Sequence, residues 1–128
     1  MTRPTTRGID FEEWGAINQR EALRIARSPL QPMPYRVMFA AMSRANRVGH
    51  AEFAKGELAD LLKVTRGDSP SMLTVPSRQQ VWGAIRRAKN LELVEETSRL
   101  RCLILSPSLW TRGTGSGRCA EHRVGRWV

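Results

Sequence analysis

Ser77-Arg78-Gln79-Gln80-Val81-Trp82-Gly83-Ala84-Ile85-Arg86-Arg87-Ala88-Lys89-Asn90 carries two patterns at once. Ser77 with Gln80 three residues on is a capping box. The serine hydroxyl faces the free amides of a helix start, and the glutamine side chain reaches back. A helix over 78–90 is therefore expected. At 100° per residue, Val81, Ile85 and Ala88 fall within about 60° of each other and form an apolar stripe. Opposite them lie Gln79, Gly83, Arg86 and Asn90, with Arg87 alongside, while Arg78, Trp82 and Lys89 occupy one flank. No carboxylate appears before Glu92. A glycine inside a helix costs roughly 1 kcal/mol relative to alanine. At the centre of a polar face it lets another surface approach the backbone; the plainer alternative is a contact with a neighbouring helix of the same chain.

Downstream, Leu93-Val94-Glu95-Glu96 and Leu100 to Leu105 flank Thr97-Ser98-Arg99, the pattern of a β-hairpin, and Ser106-Pro107 closes it. From Arg112-Gly113-Thr114-Gly115-Ser116-Gly117-Arg118 onward the composition is that of a flexible linker. Upstream, residues 64–76 contain Arg66-Gly67-Asp68-Ser69-Pro70 and are expected to be a loop. Residues 55–63 are expected to be helical, with Leu58, Leu61 and Leu62 inward. Gly49 to Phe53 suits a short strand. Another helix is expected over about 35–46, with Val37, Met38, Ala41, Met42 and Ala45 as its buried stripe, preceded by a stiff linker containing Pro29, Pro32 and Pro34. A first helix over 11–27 would be capped by Asp10 and have Phe11, Trp14, Ile17 and Ile25 loosely on one side.

Helix, short strand, helix, helix, strand, strand is the order of a winged helix-turn-helix. The expected fold is thus mainly α within the α+β class, with an extra N-terminal helix and a short β-hairpin wing. The chain divides into a leader, helix and linker (1–33), a winged-helix unit (34–108) and a basic tail (109–128). The strand near 50 would pair with the hairpin, because an isolated two-stranded hairpin is marginal.

Over 128 residues, 21 Lys+Arg stand against 12 Asp+Glu, a net charge of +9. Residues 1–73 account for +3 and residues 74–128 for +6. A basic half points to a polyanion, of which nucleic acid is the commonest. Hydrophobic residues at 41% are enough for one core. No run of eighteen apolar residues suggests a membrane span, and Met1-Thr2-Arg3-Pro4 lacks the apolar stretch of a secretory signal. Two cysteines do not make a disulfide framework. A cytoplasmic protein, bacterial or from a phage-infected cell, is expected.

Val48 to Ala59, then Ser77 to Ile85, then Arg101-Cys102-Leu103 resemble small winged helix-turn-helix proteins of actinobacteria and their phages and plasmids. The resemblance covers roughly residues 34–106. It implies DNA binding, with helix 78–90 as the recognition helix and a role in transcription regulation or as a phage or plasmid DNA-binding factor. One departure is the length of the 64–76 segment, which exceeds the tight turn of a simple helix-turn-helix.

Arginine reads guanine edges, glutamine and asparagine read adenine, and all three contact phosphate. The candidate contacts to double-stranded DNA are Ser77, Arg78, Gln79, Gln80, Gly83, Arg86, Arg87 and Asn90, with Arg99 and Arg101 on the wing. The alternative is a winged-helix module that docks an acidic protein partner in replication or host takeover, with Trp82, Trp110 and Trp127 as anchors if exposed. Helix 11–27 is a candidate dimerisation element, which leaves a homodimer open. No catalytic residue, cofactor or small-molecule substrate is expected: His50 and His122 lack a neighbouring carboxylate–nucleophile set, so an enzyme ranks last. Cys119-Ala120-Glu121-His122 has metal-ligand spacing, and Cys102 and His50 could supply two more ligands. Since only one tight pair is present, and it follows a glycine linker, the expectation is no metal.

Overall fold

The computed structural model describes residues 15–67 and 69–110. The expected Asp10 cap, Phe11 and Trp14, together with the tail from 111 onward, including Cys119, His122 and Trp127, lie outside those residues. The protein is mixed α+β, with four helices and two small antiparallel strand pairs among the described residues.

The first helix, α1, spans Gln19–Ala26 rather than starting at 11. Residues 15–18 are non-helical, and Asn18 is the cap, its side chain accepting from the amides of Arg20 and Glu21. Ala22 and Ala26 are fully buried against the second helix, α2, whereas Ile17 is 39% exposed. α2 spans Met33–Met42, so Pro34 belongs to its first turn, where a missing N–H costs nothing, and not to a preceding linker. The helix ends four residues earlier than expected, because Asn46 organises the turn that follows. Its Oδ1 accepts from the amides of Val48 and His50, and its own N–H donates to the His50 carbonyl.

That turn launches β1 (His50–Glu52), which runs antiparallel to the last strand, β4 (Cys102–Ile104). In register, His50 faces Ile104, Ala51 faces Leu103 and Glu52 faces Cys102. Ala51 and Leu103 point into the main core, which also holds Val37, Leu58, Leu62, Val81, Ile85 and Leu105. Cys102 and Ile104, on the opposite face, form a separate small buried cluster. Between the two strands come α3 (Glu57–Leu61), which starts at Gly56 with φ +77°, and α4 (Arg78–Asn90).

Two expectations fail here. The 64–76 segment is not a loop: β2 (Val64–Arg66) pairs antiparallel with β3 (Ser69–Thr74), with a bulge between Thr65 and Arg66. Gly67-Asp68 at the turn is a hairpin dipeptide in its own right, and Gly67 takes a positive φ. The second failure lies after α4, where the expected strand 93–96 is reduced to isolated bridges, Val94 with Leu105 and Arg99 with Cys102. A turn closed by Ser98 N–H on the Glu95 carbonyl lifts the chain out of the ladder. The buried Ser98 hydroxyl replaces the missing strand partner, accepting from Ile104 N–H at 2.9 Å. Reversal takes place at Leu100-Arg101, not at 97–99, through reciprocal Arg99–Cys102 backbone bonds of 2.8 and 3.1 Å.

Candidate nucleic-acid interface

The arrangement of α4 follows from its sequence. Val81, Ala84, Ile85 and Ala88 are buried, mainly against α2 and more lightly against α3. Both halves of the capping box are made: Gln80 N–H donates to Ser77 Oγ at 3.1 Å, and Ser77 N–H to Gln80 Oε1 at 2.7 Å. Ser77 Oγ and Gln80 Oε1 are thus committed to the helix start. At the other end, Leu93 N–H reaches the Ala88 carbonyl and Glu92 N–H the Lys89 carbonyl. Glu92 holds φ +59°, in the position where glycine is usual.

Arg78, Gln79, Arg86, Arg87 and Asn90 are exposed, as anticipated, with Gln79, Arg86, Arg87 and Asn90 on the side away from the core and Arg78 on the flank. Arg78, Arg86, Arg87 and Arg101 make no ion pair among the described residues, whereas arginines elsewhere do, Arg24 with Glu21 and Arg44 with Glu57. The guanidiniums of α4 are therefore not neutralised by the described part of the chain. Gly83 sits among them. A Cβ built there would meet only Arg87 Nη1, at 3.9 Å, so no other helix requires the glycine. The open space lies outward.

On the flank, Lys89 Nζ lies 4.7 Å from the centroid of the half-buried Trp82 ring. Trp82 and Trp110 both pack against the core, and neither stands free as an anchor. Arg99 and Arg101 are exposed on the separate turn before β4; Arg101 lies at its tip, and its carbonyl accepts from Phe53 N–H at 2.8 Å, extending the β1–β4 pairing. Leu100, between them, packs inward.

Sequence reasoning missed the β2–β3 hairpin that leads directly into α4. It is chiefly in contact with itself, and it exposes Arg66, Met72 and Leu73, with Val75 exposed just after it; the three apolar residues are each about half accessible. Gly67-Asp68 was the signal that could have found it. Among the described residues no helix is long and apolar enough to cross a membrane. No family model, curated protein or solved structure matches this chain.

Proposed function

We propose that this chain is a sequence-specific double-stranded DNA-binding protein of winged helix-turn-helix type. In this reading α2, β1, α3 and α4 are followed by a reduced wing, and the β2–β3 hairpin is an insertion between the two helices of the motif. α4 enters the major groove and presents Arg78, Gln79, Arg86, Arg87 and Asn90 to base edges and phosphates, with Gly83 at the point of closest approach. Arg99 and Arg101 contact the backbone beside it. The observation that carries the reading is the outer face of α4: several cations with no ion pair among the described residues, around a glycine that no internal contact explains.

Selection from random duplex DNA at near-physiological salt, followed by binding measurements on variants, tests it. An enriched motif is expected. Arg86→Ala should cost about 1–3 kcal/mol of specific binding and relax one position, whereas Arg99→Ala should weaken specific and random DNA alike. Gly83→Leu has room to fold and should abolish binding by holding the helix off the groove. With about five phosphate contacts, log K should fall with log salt at a slope of about −4 to −5. A folded Gly83→Leu protein that binds DNA like the wild type would reject the proposal.

The β2–β3 hairpin favours a second reading, a module that docks a protein partner. Met72 and Leu73 on β3, and Val75 just after it, are exposed apolar side chains. Under this reading Met72→Lys would abolish partner capture and leave DNA untouched.

A further inference from the structure

We propose that the β2–β3 hairpin is a second DNA-contacting element, a ribbon that enters the minor groove beside the site read by α4. This rests on the DNA-binding reading of α4 and extends it. The hairpin is anchored at its two feet. Leu62, just before it, is fully buried, and Pro76, just after it, is buried one residue ahead of the Ser77 cap. Between them Lys63 and Val64 are half-buried, while Thr65, Arg66 and residues 71–75 are exposed. The second foot is the start of α4, the end at which a helix lying in the major groove presents its first side chains to base edges. The hairpin is therefore rooted where α4 meets DNA.

Register puts apolar side chains on both faces of the ribbon. Leu73 pairs with Thr65 and shares its face; Thr74 pairs with Val64 on the other, where alternation along β3 also places Met72. Met72 is 52% and Leu73 50% exposed, so the described part of the chain covers neither face. A flat protein surface would bury one of these residues and leave the other in water. A groove has two walls and takes both. Extension of the ribbon by a further strand is poorly supported, because β2 is three residues long and Pro70 in β3 has no N–H to donate.

Charge selects the kind of groove. From Lys63 to Asn90 the sequence holds six Lys+Arg and one acid, Asp68, a net +5 of the chain's +9. Lys63 pairs with Asp60 at 3.4 Å, whereas Arg66 makes no ion pair among the described residues. Minor-groove proteins combine these ingredients: arginine for the negative potential, and apolar wedges such as methionine or leucine set between base steps. The three residues of β2 give about 10 Å of strand, which matches about three base pairs. By that amount the hairpin lengthens the footprint of α4.

The test uses the full chain and a duplex selected by it, in full length and trimmed to the segment around the position that Arg86→Ala relaxes. The probe is the double variant Met72→Ser, Leu73→Ser. Both residues are half in water, so helical circular dichroism and melting temperature should stay those of the wild type. Affinity for the full duplex should fall at least about fivefold, the lower end of what one base pair contributes, while both proteins bind the trimmed duplex alike. Arg66→Gln should reduce the slope of log K against log salt by about one. Flanking guanines replaced by inosine lose only their minor-groove amino group, which should tighten wild-type binding and leave the double variant unchanged. A double variant that binds the full duplex like the wild type overturns the proposal and leaves α4 as the reader. Equal losses on both duplexes, or an equal response to inosine, also overturn it. So does a wild-type dimer that the double variant dissolves in sedimentation, which would assign the ribbon to a second copy. If Arg86→Ala leaves affinity for the selected duplex unchanged, the reading of α4 fails first, and the proposal with it.

Discussion

The two antiparallel pairs make opposite bargains. β2 and β3 lie two residues apart in sequence and leave Met72 and Leu73, with Val75 just beyond, about half exposed. β1 and β4 are three residues each and lie far apart in sequence, yet Ala51, Leu103, Cys102 and Ile104 are all buried. Closing a two-residue turn costs little, so the first pair forms on local geometry alone. The second must overcome the entropy of a long closure, and only burial against α2 and the main core can do so. Apolar composition is thus a poor guide to which strand is structural. What matters is whether a face has something to pack against.

Matched truncations should separate the pairs most widely. Leu103→Ala removes a fully buried side chain and should cost about 2–5 kcal/mol in urea denaturation. Leu73→Ala, at a side chain half in water, should change stability by less than about 0.5 kcal/mol. Comparable losses at the two positions would mean that the hairpin packs on something and that the contrast is false.

Ser98 offers a smaller, chemically distinct probe. Its hydroxyl takes the place of a strand partner, accepting from Ile104 N–H and lying 3.4 Å from the Ile104 carbonyl. Ser98→Ala leaves the buried Ile104 N–H without its acceptor, while the Ile104 carbonyl keeps its bond from Glu95 N–H, and should cost about 1–3 kcal/mol, with faster amide exchange at Ile104 as the local signature.

How much of this was legible follows the same division. α4 was readable to its last residue because its signals are local: Ser77, Gln80 and an apolar period of three to four. The pairing of the strand near 50 with the C-terminal strand was readable from topology, since a lone hairpin needs a third strand. The interruption at Glu95–Ser98 was not, because it depends on a serine finding a backbone partner six residues away in the fold. α1 does not run unbroken from 11 because residues 15–18 are non-helical and Asn18 is its cap, a signal as local as the Asp10–Glu13 spacing and not separable from it in the sequence. Arg36, expected on no buried list, lies 1% exposed under α1, where its Nε donates to the Ala26 carbonyl at 2.7 Å. Burial lowers its pKa from the usual guanidinium value. Nothing in the local pattern of α2 marks that arginine, since the carbonyl it satisfies belongs to another helix. At the candidate site, the residues of α4 were legible from helical geometry, while the hairpin that precedes them was obscured by Gly67 to Pro70, turn formers that also suit a loop.

The end of α4 gives a gain where the other changes give losses. Glu92 holds a left-handed conformation that costs a non-glycine residue roughly 1–2 kcal/mol. Glu92→Gly should therefore stabilise the protein by about 0.5–1 kcal/mol after the added freedom of the unfolded chain is counted. An unchanged melting temperature would show that strain at this corner is relieved elsewhere.

The smallest effect concerns the approach to β1. Arg44 donates to the Glu52 carbonyl at 3.3 Å, lies 4.8 Å from the Phe53 ring centroid, and pairs with Glu57 at 2.6 Å. The hydrogen bond from Arg44, then the one from Ala54 N–H, holds the Glu57 carboxyl below its ordinary pKa. A carboxyl whose pKa is lower in the folded than in the unfolded state stabilises the fold fully above the unfolded value. That contribution fades as pH falls through the folded value. Stability should accordingly decline on acidification below about pH 4.5, and Glu57→Gln should flatten that decline while lowering stability slightly at neutral pH. Because the pair is over a third exposed, the neutral-pH loss should stay within about 1 kcal/mol and shrink further in high salt. The β2–β3 hairpin is the control: Arg66→Gln, on the exposed strand, should leave the acid limb unchanged. If both variants flatten it equally, the pH dependence belongs to the net charge of the whole chain and not to the Arg44–Glu57 clasp beside β1.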